Sequence, residues 1–486
     1  LTQKKVKFFV GIFLQIMPFL GILMTTDFSR FNHSIKPIRK IQLCLSQKRK
    51  RTMKPRQIVK ITTLIAILLV FVSCKNNEAV EETTLDYAYL NTLPEKNISY
   101  NDQVQPILAN RCVVCHGCYD APCQLKLSSI EGLQRGANKE VVYAPRRLNE
   151  ANHSRLFIDA NSTTEWRDKG FYSVLNETKS ATNPAENLSN SILYRMLRLK
   201  QQHPQAKIGK LDAKIELGLD RKLQCPKTEE FEQFAEKSPL SGMPYGMPNL
   251  SDQEHKTLVQ WLAQGSPAEK RPAPSAQSQK QVEKWEAFFN QPEKKNQLVS
   301  RYIYEHLFLA HIHFKDAPSD EFYRLVRSKT DAGKDIEEIA TSRPYDSPYD
   351  FPYDKKKPET FFYRLKPYLA EKVIKEHKVY EFSPKKMARY RELFMGDDYQ
   401  VKNLPSYDPM QASNPLKTFK DIPAKSRYKF LLDNAFFFVE GFIKGPVCRG
   451  QVALSVIEDH FWLLFLAMSP LNVENSRVLN SATYPG

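Results

Sequence analysis

The chain has 486 residues, 42% of them hydrophobic and 26% charged, with eight cysteines and a formal net charge of +17. That length allows two or three domains, and so large a positive charge suggests a nucleic-acid or membrane partner. Most of it is local, however. Residues 1–60 hold fourteen Lys and Arg against the single acid Asp27, which leaves the rest near +4, so no nucleic-acid role is expected.

Residues 1–52 begin with Leu, carry an apolar stretch over 8–24 interrupted by Pro18, and end in the basic run 48-KRKR-51. They are expected to be an upstream extension that is not native protein, with Met53 the true start. A real membrane-spanning segment is the competing expectation. From Met53 the pattern is that of a secretion signal: Lys54, Arg56 and Lys60, an apolar run over 61–72, then Ser73-Cys74. This ending resembles a bacterial lipobox, although Phe71 stands where Leu is usual. Cys74 is therefore expected to become a lipidated first residue that anchors the chain in the periplasm; the run is brief for a membrane span. Residues 75–97 are polar and acidic and suit a flexible tether.

Residues 98–268 hold the most informative motif, Cys112-Val-Val-Cys115-His116. Two thiols three apart followed at once by histidine form the attachment signature of a c-type haem. The thiols add across the haem vinyl groups, and His116 reaches the iron. The motif lies on an expected amphipathic helix in 100-YNDQVQPILANRCVVCHGC-118, with Val104, Ile107 and Leu108 on its apolar side. Further along, 240-LSGMPYGMPNLSDQEHKTLVQWLAQG-265 supplies a Gly-Met-Pro loop and a closing helix. Met243 is the candidate second iron ligand and Met247 the alternative. Ser251 with Glu254 makes a capping box, Leu250, Leu258, Trp261 and Leu262 form an apolar stripe, and Gly265 ends the helix. Between histidine and methionine lie insertions, with a helical pattern at 190-NSILYRMLRLKQQ-202. Cys118 and Cys123 either close a small disulfide loop or pair otherwise, with Cys225 the alternative partner.

The stretch 266–280 is Pro-, Ala- and Ser-rich with no periodicity, a linker. The region 281–486 is expected to be mostly helical, with helices at 283–290, 297–314, 384–394 and 427–443. The repeated Pro-Tyr-Asp triplets in 344-PYDSPYDFPYDKKKP-358 are turns. On one helix over 297–314, His306 and His313 would share a face and His311 would lie at another angle. His306 is a candidate functional residue, as is Arg449 in 444-KGPVCRGQ-451, whose guanidinium suits a carboxylate or phosphate. His460, after two acids in 457-IEDHFW-462, is a third. Phosphate loops, nucleophile elbows and zinc-protease motifs are missing, which argues against dehydrogenase, kinase and hydrolase chemistry.

The segments CVVCHGCYDAPCQL, RYIYEHLFLAHIHF, SRPYDSPYD and FFFVEGFIKGPVCRGQVAL…IEDHFW together resemble the bacterial periplasmic fatty acid cis/trans isomerases over about residues 98–465. The resemblance implies a mainly α architecture, a cytochrome c-like haem domain with insertions followed by an isomerase-specific region. It also implies haem c as cofactor and unsaturated fatty acids or phospholipid acyl chains at a membrane surface as substrates, turned from cis to trans under stress. The family's chains normally continue past the position of Gly486, so a carboxy-terminal portion is expected to be missing. A periplasmic electron-transfer cytochrome with an accessory domain is the alternative, and a haem-based sensor or scaffold a third.

Overall fold

The structure, a computed structural model, describes residues 97–142, 151–177, 183–206, 208–218, 221–271, 273–350, 358–370 and 377–443, all in one compact unit. The expected leader, lipid-bearing cysteine and tether, together with Arg449 and His460, lie outside the described residues. Among those described, no helix is long and apolar enough to cross a membrane.

The amino-terminal half is built from short, capped helices. The Ser99 side chain accepts from Asp102 N and starts a helical turn, Tyr100–Val104, that runs into α1 (Gln105–Arg111). The chain bends at Cys112 and turns once more as α2 (Val113–His116). Thus the single expected helix is broken at the first cysteine, while Val104 and Leu108 face the interior as their spacing predicts. Then follow α3 (Ile130–Arg135), α4 (Thr163–Asp168), α5 (Pro184–Ser189), α6 (Ile192–Gln202) and α7 (Phe231–Lys237). Helix α8 (Asp252–Ala263) opens with the expected Ser251–Glu254 capping box, buries Leu258, Trp261 and Leu262, and stops at Gly265, whose φ of +81° favours glycine. It packs against the cysteine-bearing segment, with Tyr100 and Trp261 rings 5.7 Å apart and an Arg111–Glu254 ion pair at 2.7 Å.

The second half adds a sheet to the mostly helical plan expected for it. The linker ends early, because Ser275 accepts from Ser278 N and starts α9 (Ala276–Phe289). Helix α10 (Lys294–Leu307) is followed by strands β1 (His311–Phe314), β2 (Tyr323–Ser328), β3 (Phe362–Pro367) and β4 (Val379–Phe382). They form one sheet in the order β3-β2-β1-β4, antiparallel except for the β1–β4 pair, with Ile312 opposite both Tyr323 and Tyr380. The expected helix over 297–314 therefore ends at Leu307, and His311 and His313 stand on a strand. The physical reason is the period-two order of 311-HIHF-314, where Ile312 and Phe314 go into the core. The protein is helix-rich with a small four-stranded sheet, so this half, expected to be mostly helical, also carries four strands.

Helix α11 (Pro384–Met395), two short turns α12 (Pro409–Ala412) and α13 (Pro415–Thr418), and helices α14 (Ala424–Asp433) and α15 (Ala435–Ile443) complete the described chain. The expected helix over 427–443 is two, parted at Asn434, whose side-chain oxygen accepts from Tyr380 Oη at 2.5 Å. Its Phe436-Phe437-Phe438 run is split: Phe437 packs on Tyr380 at 5.0 Å between ring centres, while Phe436 is 69% exposed. Aromatic rings dominate this core. Trp285 stacks on Phe382 at 3.8 Å, and Tyr302 meets Phe394, Phe419 and Phe430. A buried Arg364–Glu286 pair at 2.9 Å ties α9 to β3.

Residues 153–157 join the two halves. Arg155 Nη1 donates to the Thr341 carbonyl at 2.7 Å, His153 Nε2 lies 3.0 Å from Ser342 Oγ, and Lys366 Nζ donates to the Phe157 carbonyl at 2.8 Å.

Candidate functional site

The helical geometry of α2 brings Cys112, Cys115 and His116 together, since the amides of Cys115 and His116 both donate to the Cys112 carbonyl, at 3.1 and 2.9 Å. The thiols of Cys112 and Cys115 are free. The other described cysteines are not. Cys123 is bonded to Cys225, and Cys118 is itself disulfide-bonded, so the small Cys118–Cys123 loop does not form and the alternative pairing holds. Burial pushes the Cys112 thiol up to about 12 and raises that of Cys115, against the pull of nearby Arg221, so both are protonated at neutral pH.

His116 is buried, and its Nδ1–H donates to the Leu125 carbonyl at 3.0 Å. A carbonyl can only accept, so this bond fixes the tautomer and leaves the lone pair on Nε2. Burial lowers its pKa to about 4, which keeps the ring neutral. The 116–127 loop is held in place by Leu127 N donating to the His116 carbonyl at 2.8 Å. Two free adjacent thiols and a neutral imidazole oriented by a backbone carbonyl form a donor set that fits a covalently held haem.

The methionine loop is pinned to α6. Met243 N donates to the Met196 carbonyl at 3.0 Å, and a Cβ at Gly242 would lie 2.3 Å from Lys200 N, so no larger residue fits there. Met247 is half-buried in the same loop. Between them, Tyr245 lies under the Arg221 guanidinium at 3.7 Å, and the same arginine exerts its charge on Cys115. Arg221 thus links the loop to the cysteine segment. Sequence inspection missed it because it stands in an unpatterned stretch.

The three histidines of 306-HLFLAHIHF-314 do not share a site. His306 is packed among Tyr302, Phe430 and Phe438, with Nδ1 bonded to the Tyr302 carbonyl at 2.7 Å. His311 lies on Tyr368 and places Nδ1 2.6 Å from His377 Nδ1, while His313 faces Phe322. No cluster of three or more His, Cys, Asp or Glu suited to a metal ion occurs among the described residues.

These features define a helix-rich protein with a haem-compatible cysteine pair joined to an aromatic-cored second half. Its sequence matches the model of a known family over residues 151–483, and that family is fatty acid cis/trans isomerase. The chain belongs to this family, and the family's activity is enzymatic: cis-trans isomerisation of fatty acids. The matched span includes Met243, Met247, His306, Arg449 and His460, whereas Cys112, Cys115 and His116 precede it. No curated protein and no solved structure matches the chain.

Proposed function

We propose that the chain is a haem c-dependent isomerase that converts cis double bonds of membrane acyl chains to trans outside the cytoplasm, stiffening the bilayer under stress. The single observation that carries the haem assignment is the pair of free thiols at Cys112 and Cys115, one helical turn from an imidazole oriented by Leu125, in a chain whose other described cysteines are oxidised. Those disulfides also support an oxidising compartment, which agrees with a periplasmic lipoprotein anchored through Cys74.

Cys112 and Cys115 would hold the haem covalently, His116 Nε2 would ligate iron, and Met243, with Met247 as the alternative, would supply a second ligand. Rotation about an intact π bond is forbidden, and a haem held there would supply the redox chemistry that lowers the bond order without net oxidation. The chain's own residues set the conditions for it. The Leu125 carbonyl raises the basicity of His116, the Met196–Met243 hydrogen bond positions the sulfur ligand, and Arg221 brings positive charge beside Cys115. The long connection between His116 and Met243, with its helices α3 to α7, supports a cytochrome c-like domain enlarged for a substrate rather than for electron transfer alone.

The test is the trans/cis ratio of unsaturated acyl chains in membranes of cells producing the chain with a haem c maturation system, read by gas chromatography. A rise in trans isomers that His116→Ala lacks is expected. A chain that carries covalent haem and leaves the ratio unchanged would overturn the proposal and favour an electron-transfer cytochrome.

A further inference from the structure

A groove of about 360 Å³ opens between α9, α10, the start of β3 and the 404–407 loop. Apolar and aromatic side chains, Phe289, Leu298, Phe361, Tyr363 and Tyr407, line much of it beside several neutral polar ones, and Leu404, 42% exposed, stands at its mouth. One charged side chain lines it, Arg301.

Arg301 is 4% exposed, and its surroundings leave it incompletely satisfied. Its Nε donates to Glu305 at 2.7 Å and its Nη1 to the carbonyls of Pro405 and Ser406, at 3.0 and 3.3 Å. The guanidinium lies over the Tyr407 ring at 3.8 Å. Nη2 is buried without a partner. A second guanidinium, that of Arg327 on β2, lies 5.8 Å from the same ring and is likewise buried with its Nε unpartnered. Glu305 is the acid that feels both cations. Of the two, Arg301 is the one that pairs with Glu305 and lines the groove, and it keeps an N–H to spare, whereas Arg327 is held by the Asp346 carbonyl and Thr341 Oγ1 outside the groove. Orphaned donors of this kind are costly in a protein interior and mark the place of an absent acceptor.

What would complete the site is one anionic oxygen group attached to an apolar body. We propose that this groove is a carboxylate subsite, in which Arg301 Nη2 holds the head of an unesterified acyl chain and the aromatic walls take the methylenes next to it. The identity of the chain rests on the proposed function; the anion requirement does not. An ester carbonyl can also accept from Arg301, but it brings no charge, so it gains the apolar contacts and a weaker hydrogen bond.

The experiment is a direct binding titration on the full haem-loaded chain, by calorimetry below the micellar range, with cis-9-hexadecenoate and its methyl ester as probes. The acid is expected to bind about tenfold more tightly than the ester or better, the size of one charge-assisted hydrogen bond. Arg301→Leu should bring the acid down to the ester's affinity. Leu404→Trp, which fills the mouth from an exposed position, should weaken both, and it decides the matter if Arg301→Leu does not fold. Equal binding of acid and ester, or unchanged acid binding in a folded Leu404→Trp, overturns the subsite. Because turnover is not the readout, the two ideas fail separately. Acid-selective binding without trans product would remove the isomerase proposal and leave the subsite standing, while isomerisation with equal binding would do the reverse.

Discussion

His116 in the first half and His306 in the second are alike by most local measures. His116 is buried and His306 half-buried, both donate Nδ1–H to a backbone carbonyl (at 3.0 and 2.7 Å), and desolvation lowers both to about 4. Their neighbours differ. His116 stands beside two free thiols on a one-turn helix, whereas His306 has ring centres of Tyr302, Phe430 and Phe438 at 4.2, 5.5 and 5.6 Å. A lowered pKa thus marks desolvation, and the two imidazoles differ in what surrounds them. The first half sets a histidine beside two free thiols, and the second is built around rings.

The strongest way to break this comparison is to remove the thiols. Cys112→Ser with Cys115→Ser should abolish covalent haem, read as loss of haem stain on a denaturing gel. The near-ultraviolet circular dichroism of the aromatic second half should survive. Loss of both signals together would mean that the second half depends on the first for its fold.

The reciprocal change is Trp285→Ala. Trp285 is 1% exposed and stacked on Phe382, so its truncation should cost about 3–5 kcal/mol of stability, as large-to-alanine changes in cores do. The measurement is a denaturant titration followed by tyrosine and tryptophan fluorescence. Haem attachment in the same variant, under conditions where it remains folded, should be unchanged. A loss below about 1 kcal/mol would show that the stack is not part of the core that holds this half.

His306 gives a sharper test through pH. Its folded value near 4 lies below the ordinary histidine value of 6.5, so the unfolded chain takes up the proton first as pH falls. Its contribution is complete above about pH 6.5, is lost progressively toward pH 4, and is worth about 3 kcal/mol over that window. His306→Phe should flatten the acid limb of the stability profile by about that amount; His255 and, without haem, His116 still contribute. If the profile is unchanged and isomerisation falls instead, His306 is a functional residue after all.

How much of this could be read from sequence follows the range of the interactions. The Ser251–Glu254 box, the Gly265 stop and the turn of backbone joining Cys112 to His116 are set by residues within a few positions of each other, and each is found where the spacing puts it. The sheet is different. Strand β1 is four residues long and directly follows an amphipathic helix, and its partners lie as far off as Val379–Phe382, so only tertiary pairing shows that 311-HIHF-314 leaves the helix. The choice between Cys118 and Cys225 as partner for Cys123 is equally non-local, since Cys225 is 102 residues away. Arg301 carried no signal at all, being one arginine among helix-forming neighbours until the fold buried it.

The smallest prediction concerns the helix that closes the first half. Ser251 Oγ accepts from Glu254 N at 3.3 Å, and the Glu254 carboxylate both accepts from Ser251 N at 2.8 Å and pairs with Arg111. Ser251→Ala removes one cap and should cost about 1 kcal/mol. Glu254→Gln keeps an acceptor for the Ser251 amide and weakens only the bridge to Arg111. That bridge is partly exposed, at 41% and 21% for the two side chains, so its loss should cost under about 1 kcal/mol. Both are measured by denaturant unfolding of the haem-loaded chain. If Glu254→Gln proves the more damaging, the contact between α8 and the cysteine-bearing helix is held by charge rather than by the buried faces of Trp261 and Leu258, and the half with the cysteine pair is then the more salt-sensitive of the two.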